Sequence, residues 1–191
     1  RYSIAAGEFH DEHQVEEGES PVELKTLDRR GIKIYANSET PSAYTKAKRM
    51  GAQGIGLYRS EFLFNKFRGF PSENEQYLAY KAIADAAGDG GVKIRTFDLG
   101  ADQLVDQNAA REKNPALGLR AIRLGLAYKK LLRTQLRALL RASFEHSIDL
   151  VVPMVSGVSE IFAVKEVLSH EREQLFKKGI AFGDPRVGAM I

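Results

Sequence analysis

The feature that most constrains this chain is a regular alternation, from Gly31 onward, of short apolar runs with longer helical stretches. Short runs rich in apolar and β-branched residues predict buried strands, and strands that alternate with helices predict parallel βα units. The sequence therefore predicts an α/β protein built on a parallel sheet. The predicted strands are residues 32–36, 54–58, 92–98, 149–154 and 186–191.

Helix-start signals lie between the predicted strands. Thr40 followed by Pro41 predicts an N-cap with proline at the first helical position. Ser72 and Glu75 have the spacing of a capping box, which predicts a second helix start. Further helical regions are predicted for residues 114–143 and 156–177.

The composition excludes several classes of function. A hydrophobic share of 43% and a charged share of 28% are typical of a water-soluble globular protein. The chain contains no cysteine, which excludes disulfides, thiolate zinc sites and cysteine nucleophiles within it. The sequence has no apolar run long enough to cross a bilayer and no basic-then-apolar leader, so we expect a cytoplasmic protein without membrane contact. The net charge of +3 is small and evenly spread, so nucleic acid is not an expected partner.

Two arginines are placed where parallel sheets bind anions. Arg59 directly follows the second predicted strand and Arg95 lies in the third, so both could reach the carboxyl edge of the sheet. A guanidinium group stays charged and donates two parallel hydrogen bonds to an oxyanion. The pattern alone leaves the alternative equally open that each arginine is a surface or ion-pair residue.

Six segments, in this order, resemble those of enzyme I, the phosphoenolpyruvate (PEP)-protein phosphotransferase of the bacterial sugar phosphotransferase system. Several ordered motifs are far more specific than one short pattern, and the resemblance covers about residues 30–191. The segments are residues 54–64 (GIGLYRSEFLF), 71–77 (PSENEQY), 94–100 (IRTFDLG), 114–123 (NPALGLRAIR), 132–143 (LRTQLRALLRAS) and 152–154 (VPM).

The resemblance implies a PEP-binding (β/α)8 barrel, of TIM-barrel type. Four βα units plus a fifth strand cannot close eight strands, so we expect an incomplete barrel. Residues 26–191 would form its N-terminal half, and residues 1–25, which contain glycine, proline and little apolar periodicity, would be a linker from a preceding domain.

The resemblance also implies an activity and a site. The enzyme transfers phosphate from PEP to its own histidine and then to a histidine-containing phosphocarrier protein during sugar uptake. Matched position by position, Arg59, Arg95 and Arg120 are the substrate-binding arginines that hold the PEP phosphate. The intact enzyme is expected to be a homodimer that uses Mg²⁺.

Other functional groups of the family are not expected in this chain. The magnesium-binding carboxylates would lie beyond residue 191, and the phosphohistidine and the binding surface for the carrier in preceding domains. We therefore expect no catalytic residue and no metal ligand here, and an isolated chain that is inactive. His10, His13, His146 and His170 lie in no phosphohistidine motif and are expected to be solvated or locally bonded.

Two positions depart from the family pattern. Gln103 replaces a lysine and Leu119 replaces a tryptophan, which removes a positive charge and an indole donor. Weaker phosphate binding is the expected consequence.

Three alternative functions stay open from the sequence. The homologous barrel of pyruvate phosphate dikinase or PEP synthase shares the arginine motif, although residues 132–143 favour enzyme I. A non-catalytic phosphate-binding regulatory module would need only the arginines. A nucleic-acid binder could use the helix around Arg133, but Arg133, Arg137 and Arg141 recur at every fourth position, which is typical of a solvated helix face. Phe62, Phe64, Phe67 and Phe70 are expected to fill space under a loop.

Overall fold

A computed structural model of the protein describes residues 25–67, 69–100, 114 and 117–191. In this part of the chain a five-stranded sheet has the order β1-β2-β3-β4-β5, and every neighbouring pair is parallel. The predicted α/β architecture with a parallel sheet is thereby confirmed. The strands are β1 (Ala36–Asn37), β2 (Ile55–Arg59), β3 (Val92–Arg95), β4 (Ile148–Val152) and β5 (Val187–Ala189).

Helices connect consecutive strands, and two of them begin at the predicted residues. Thr40 Oγ1 accepts a hydrogen bond from the Ala43 amide at 3.1 Å, with Pro41 at the first helical position. Ser72 and Glu75 form the predicted capping box. The helices are α1 (Pro41–Arg49), α2 (Glu61–Phe67), α3 (Glu73–Ala87), α4 (Ala121–Ala127), α5 (Lys129–Ala142) and α6 (Val158–Lys177).

The prediction of one helical region over residues 114–143 is wrong. Helix α4 begins only at Ala121, and the helical conformation is interrupted at Tyr128 before α5 begins. The backbone of Tyr128, at φ −109° and ψ 64°, lies outside the helical range. Arg120 therefore lies directly at the start of a short helix.

Strand boundaries also differ from prediction. Strand β1 is Ala36–Asn37 and not residues 32–36, although the Gln53 amide still donates to the Ile34 carbonyl at 2.8 Å. Strand β3 ends at Arg95 and not at residue 98. The Thr96 amide still donates to the Val151 carbonyl of β4, but side chains bind the two amides that follow. The Phe97 amide donates to Gln135 Oε1 at 3.1 Å and the Asp98 amide to Glu61 Oε1 at 2.7 Å. The end of β3 is thus fixed by two side chains.

The helices bury one face of the sheet in a single core. Alternate residues of β3 and β4 are buried, whereas the intervening ones, among them Lys93 and Arg95, are only partly buried. Residues of α1, α3, α5 and α6 join the buried strand residues in one hydrophobic cluster. Its fully buried large members include Tyr44, Tyr80, Ile83, Ile94, Leu136, Leu139, Leu140 and Leu150.

Replacing Ser72 by alanine should lower the free energy of unfolding by about 1 kcal/mol, because helix α3 loses its side-chain N-cap. Hydrogen bonds from Ser72 also lower the pKa of Glu75. The stabilisation that comes from the ionised Glu75 is therefore present above the pKa of Glu75 in the unfolded state and is lost as the pH falls through its lower pKa in the folded state. Urea unfolding at neutral and acid pH measures both effects. The exposed Ser169, in the interior of α6, is the control position, and equal effects of Ser72→Ala and Ser169→Ala would contradict the capping role.

Candidate functional site

The structure brings the two strand arginines together. Arg59 is the last residue of β2, Arg95 is the last residue of β3, and their Cα atoms are paired in the sheet register. The carboxyl edge of a parallel sheet is where α/β proteins bind anionic ligands. Sequence reasoning therefore placed both side chains at the correct edge of the sheet.

Arg120 joins the same cluster from the following loop. It is the residue before α4, and a backbone bridge pairs it with Gly100 just after β3. Its Nε and Nη2 atoms donate to Asp98 Oδ1 at 3.0 and 2.8 Å. Asp98 Oδ2 lies 3.5 Å from Arg95 Nη1, so one carboxylate links Arg95 to Arg120.

Each arginine already has a carboxylate partner. Arg59 Nη2 contacts Glu39 Oε1, and Arg95 Nη2 lies 3.0 Å from Glu61 Oε1. With Asp98, these three carboxylates balance the three guanidinium charges. None of the three was predicted from the sequence, although Asp98 follows its partner Arg95 by only three positions.

Several polar atoms of the site are buried without a partner among the described residues. They are Arg59 Nε, Arg95 Nε and Glu61 Oε2. A buried N–H without an acceptor costs on the order of 1–3 kcal/mol. The two Nε atoms are therefore donors that an oxyanion could satisfy.

A buried polar network lies beneath the two strand ends. Gln135 Nε2 donates to Ser60 Oγ at 3.1 Å and to the Tyr80 hydroxyl at 2.9 Å, while Gln135 Oε1 accepts from the Phe97 amide. Ser60 Oγ donates in turn to the Arg95 carbonyl at 2.7 Å. Gln135 thus links Ser60, the residue after Arg59, to the Phe97 amide, and Ser60 itself binds the Arg95 carbonyl.

Burial and charge shift the two tyrosines near this network. Burial, with a smaller contribution from the Glu61 charge, raises the pKa of Tyr58 to about 12. Burial also raises the pKa of Tyr80. Both phenols therefore stay neutral at physiological pH.

The arginine face of α5 is not the solvated face that the sequence predicts. Arg133 and Arg137 bind Glu171 of α6, whose side chain is fully buried, and Arg137 and Arg141 bind Glu73 of α3. Although burial opposes it, hydrogen bonds from Arg137 and Arg141 lower the pKa of Glu73. This arginine face therefore holds three helices together. The opposite face is buried as predicted, through Leu132, Leu136, Leu139 and Leu140.

The other predicted groups lie apart from the arginine cluster or outside the described residues. His146 Nε2 lies 2.6 Å from Asp85 Oδ1 and His170 is half-exposed beside Arg133. Arg59 stacks over the Phe62 ring with its Cζ 5.2 Å from the centroid, while Phe64 and Phe70 pack on the core. His10, His13 and Gln103 lie outside the described residues, as does nearly all of the predicted linker.

The described part of the chain contains neither a candidate metal site nor a candidate membrane-spanning helix. Within the described ranges, no three or more histidine or acidic side chains are grouped so that they could hold a metal ion. None of the described helices is both long and apolar enough to span a bilayer.

Comparison with known proteins gives a family and several close relatives. The family described as "PEP-utilising enzyme, PEP-binding domain" matches residues 14–191. The phosphoenolpyruvate-protein phosphotransferase of Geobacillus stearothermophilus is 40% identical over 168 residues, which cover 87% of this chain and 29% of the relative. Proteins of the same name from Staphylococcus aureus (42% over 168 residues; 87% and 29%) and Lactococcus lactis subsp. lactis (40% over 173 residues; 88% and 30%) are similar. The chain thus spans less than a third of the length of these relatives.

Proposed function

This chain belongs to the PEP-binding domain family of PEP-utilising enzymes, and we propose that it is the PEP-binding part of a PEP-protein phosphotransferase. The relatives described above carry that name at about 40% identity, which favours it over pyruvate phosphate dikinase and PEP synthase. The single observation that carries the proposal is the register pairing of Arg59 with Arg95 at the carboxyl edge of the sheet.

In this proposal Arg59, Arg95 and Arg120 bind the phosphate of PEP. The unpaired Nε atoms of Arg59 and Arg95 supply donors, and guanidinium groups stabilise the charge that spreads over phosphoryl oxygens during transfer. The three neighbouring carboxylates offset the positive charge, so binding to the isolated chain should be weak. No residue of this chain is assigned a catalytic role, and the chain alone should bind PEP without transferring its phosphate.

We place the sheet in an incomplete (β/α)8 barrel formed by residues 26–191, with residues 1–25 as a linker. The sequential parallel order and the burial of one face under the helices support this architecture. Strands β1 and β5 each pair on one side only within the described residues, which leaves two edges for further strands. Ile32 and Ile34 before β1 and Ile191 after β5 are exposed.

The described carboxylates do not fit a magnesium ion. Glu39, Glu61 and Asp98 each bind an arginine, and no metal-binding group is found among the described residues. As the family resemblance implies, we propose that the magnesium ligands of the intact enzyme lie beyond residue 191, and no step is assigned to a metal in this chain. The acceptor histidine, a phosphocarrier protein as partner, a homodimeric state, a cytoplasmic location and a role in sugar uptake belong to the same proposal for the intact enzyme.

The experiment that tests this function is calorimetric titration of PEP and inorganic phosphate into the chain and its arginine variants. Arg59→Ala and Arg120→Ala should each weaken PEP binding by about tenfold or more, since each removes charge-assisted hydrogen bonds worth about 1.5–3 kcal/mol. Arg186 is a control, because its Nε and Nη2 atoms also donate to one aspartate, Asp149, but it lies directly before β5. Unchanged affinity in the site variants, or an equal loss in Arg186→Ala, would show that the phosphate site lies elsewhere.

A further inference from the structure

Among the three carboxylates of the arginine cluster, Glu39 is bound differently. Glu61 Oε1 accepts the Asp98 amide besides binding Arg95, and Asp98 is shared by Arg95 and Arg120. Glu39 has one side-chain partner among the described residues, Arg59. Its loss therefore breaks one ion pair and leaves the backbone hydrogen bonds around β3 in place.

The backbone holds Glu39 at the mouth of the site. Its neighbour Ser38 donates its amide to the Leu57 carbonyl of β2 at 3.1 Å, and Ser38 Oγ donates to the Thr40 carbonyl at 3.0 Å. Thr40 is the N-cap of α1. The carboxylate is therefore presented to the end of β2 from a fixed turn.

Arg59 is the most accessible arginine of the cluster. Its side chain is 44% exposed, against 17% for Arg95 and 29% for Arg120, and that of Glu39 is 25% exposed. An exposed ion pair is weak enough for a ligand to replace. Arg59 also lies over the Phe62 ring, which can keep the guanidinium in place when its partner leaves.

We propose that Glu39 is an affinity-determining residue that competes with the phosphate of PEP for Arg59. The proposal rests on the proposed function of the arginine cluster. In the free chain the Glu39 carboxylate occupies Nη2 of Arg59, a donor that a phosphate oxygen would use together with the unpaired Nε. A bound dianion must displace this carboxylate from Arg59, and the loss of the Glu39–Arg59 ion pair lowers the net affinity.

The competing role and a supporting role predict opposite results. If Glu39 only oriented Arg59 for the ligand, removing its charge would weaken binding, because Arg59 would lose its fixed position. If Glu39 competes, removing its charge strengthens binding. Glu39→Gln keeps the size and hydrogen-bonding capacity of the side chain and removes only its charge.

The test is a double-mutant cycle on PEP affinity, measured by calorimetry on the whole 191-residue chain. Glu39→Gln should lower the Kd for PEP by roughly two- to fivefold, the range that corresponds to a partly exposed ion pair. In an Arg59→Ala background the same change should have no effect beyond measurement error. The control Asp89→Asn removes one exposed negative charge next to the amino end of β3 and should leave the Kd unchanged.

The outcomes separate this inference from the proposed function. Suppose that the wild-type chain binds PEP through Arg95 and Arg120, but that Glu39→Gln binds PEP equally well or more weakly. The competing role of Glu39 is then overturned, while the proposed function of the arginine cluster stands. An equal gain in PEP affinity in the Arg59→Ala background, or in Asp89→Asn, would show a general electrostatic effect and would also overturn the competing role. If neither the wild-type chain nor Glu39→Gln binds PEP, both proposals are overturned. Thermal unfolding of each variant checks that the fold is retained.

Discussion

Replacing Gln135 by leucine should lower the free energy of unfolding by about 3 kcal/mol and weaken PEP binding. The side chain is almost fully buried, and three polar groups lose a hydrogen bond with it. The Phe97 amide loses the one partner it has among the described residues, whereas the hydroxyls of Ser60 and Tyr80 still donate to the Arg95 carbonyl and to Gln76 Oε1. A buried amide left without a partner costs on the order of 1–3 kcal/mol, and each of the two other lost hydrogen bonds costs about 1 kcal/mol or less. Urea unfolding followed by circular dichroism measures the loss.

A graded control is available in the same network. Tyr80→Phe removes the hydroxyl that accepts from Gln135 and donates to Gln76 Oε1, but it leaves the Phe97 amide and Ser60 paired. It should therefore cost only about 1–2 kcal/mol. It should also leave PEP affinity unchanged, because it does not touch the backbone beside Arg95. Equal losses of stability and affinity in the two variants would contradict the role of Gln135 in holding the strand ends.

Glu171→Leu should destabilise the chain by about 3 kcal/mol. The fully buried carboxylate binds Arg133 Nε and Arg137 Nη1 at 2.5 and 2.7 Å, and removing one partner of a buried ion pair leaves the other charges uncompensated. Breaking a buried ion pair costs about 3–5 kcal/mol. We expect the lower end of this range because the side chains of Arg133 and Arg137 are 41% and 24% exposed and can reach water.

The matched control for this change lies on the same helix. Glu166 is exposed, and Glu166→Leu should change the free energy of unfolding by less than about 0.5 kcal/mol. Thermal and urea unfolding of both variants would check the difference. Similar stability of Glu171→Leu and the wild-type chain would show that the three-helix ion-pair network contributes little.

The elements that the sequence predicts well are those specified by local signals. The N-caps at Thr40 and Ser72 depend on residues within four positions of each other, and the structure has both. The parallel strands were predictable because each carries a short apolar run. The end of β3 was not, since the Phe97 and Asp98 amides bind Gln135 and Glu61, which are distant in sequence.

The arginines of the candidate site were predictable from the sequence, whereas their carboxylate partners were not. Arg59 follows the second predicted strand and Arg95 lies in the third, so the parallel topology brings both to one edge of the sheet. Glu39 comes from the turn after β1, 20 residues before its partner, and no periodicity relates the two. The arginine face of α5 was misread for the same reason, because the buried Glu171 lies more than 30 residues further along the chain.

The most direct test of the phosphate site is an NMR titration of PEP into the chain labelled with ¹⁵N at arginine Nε. Arg59 Nε and Arg95 Nε are buried donors without a partner among the described residues, so a bound phosphate should shift their resonances strongly and saturably. Resonances are assigned with arginine-to-lysine variants. The account predicts shifts at Arg59, Arg95 and Arg120 with one common Kd and none at Arg186. Saturable shifts confined to other arginines, or no shift at Arg59 and Arg95 while PEP binds, would contradict it.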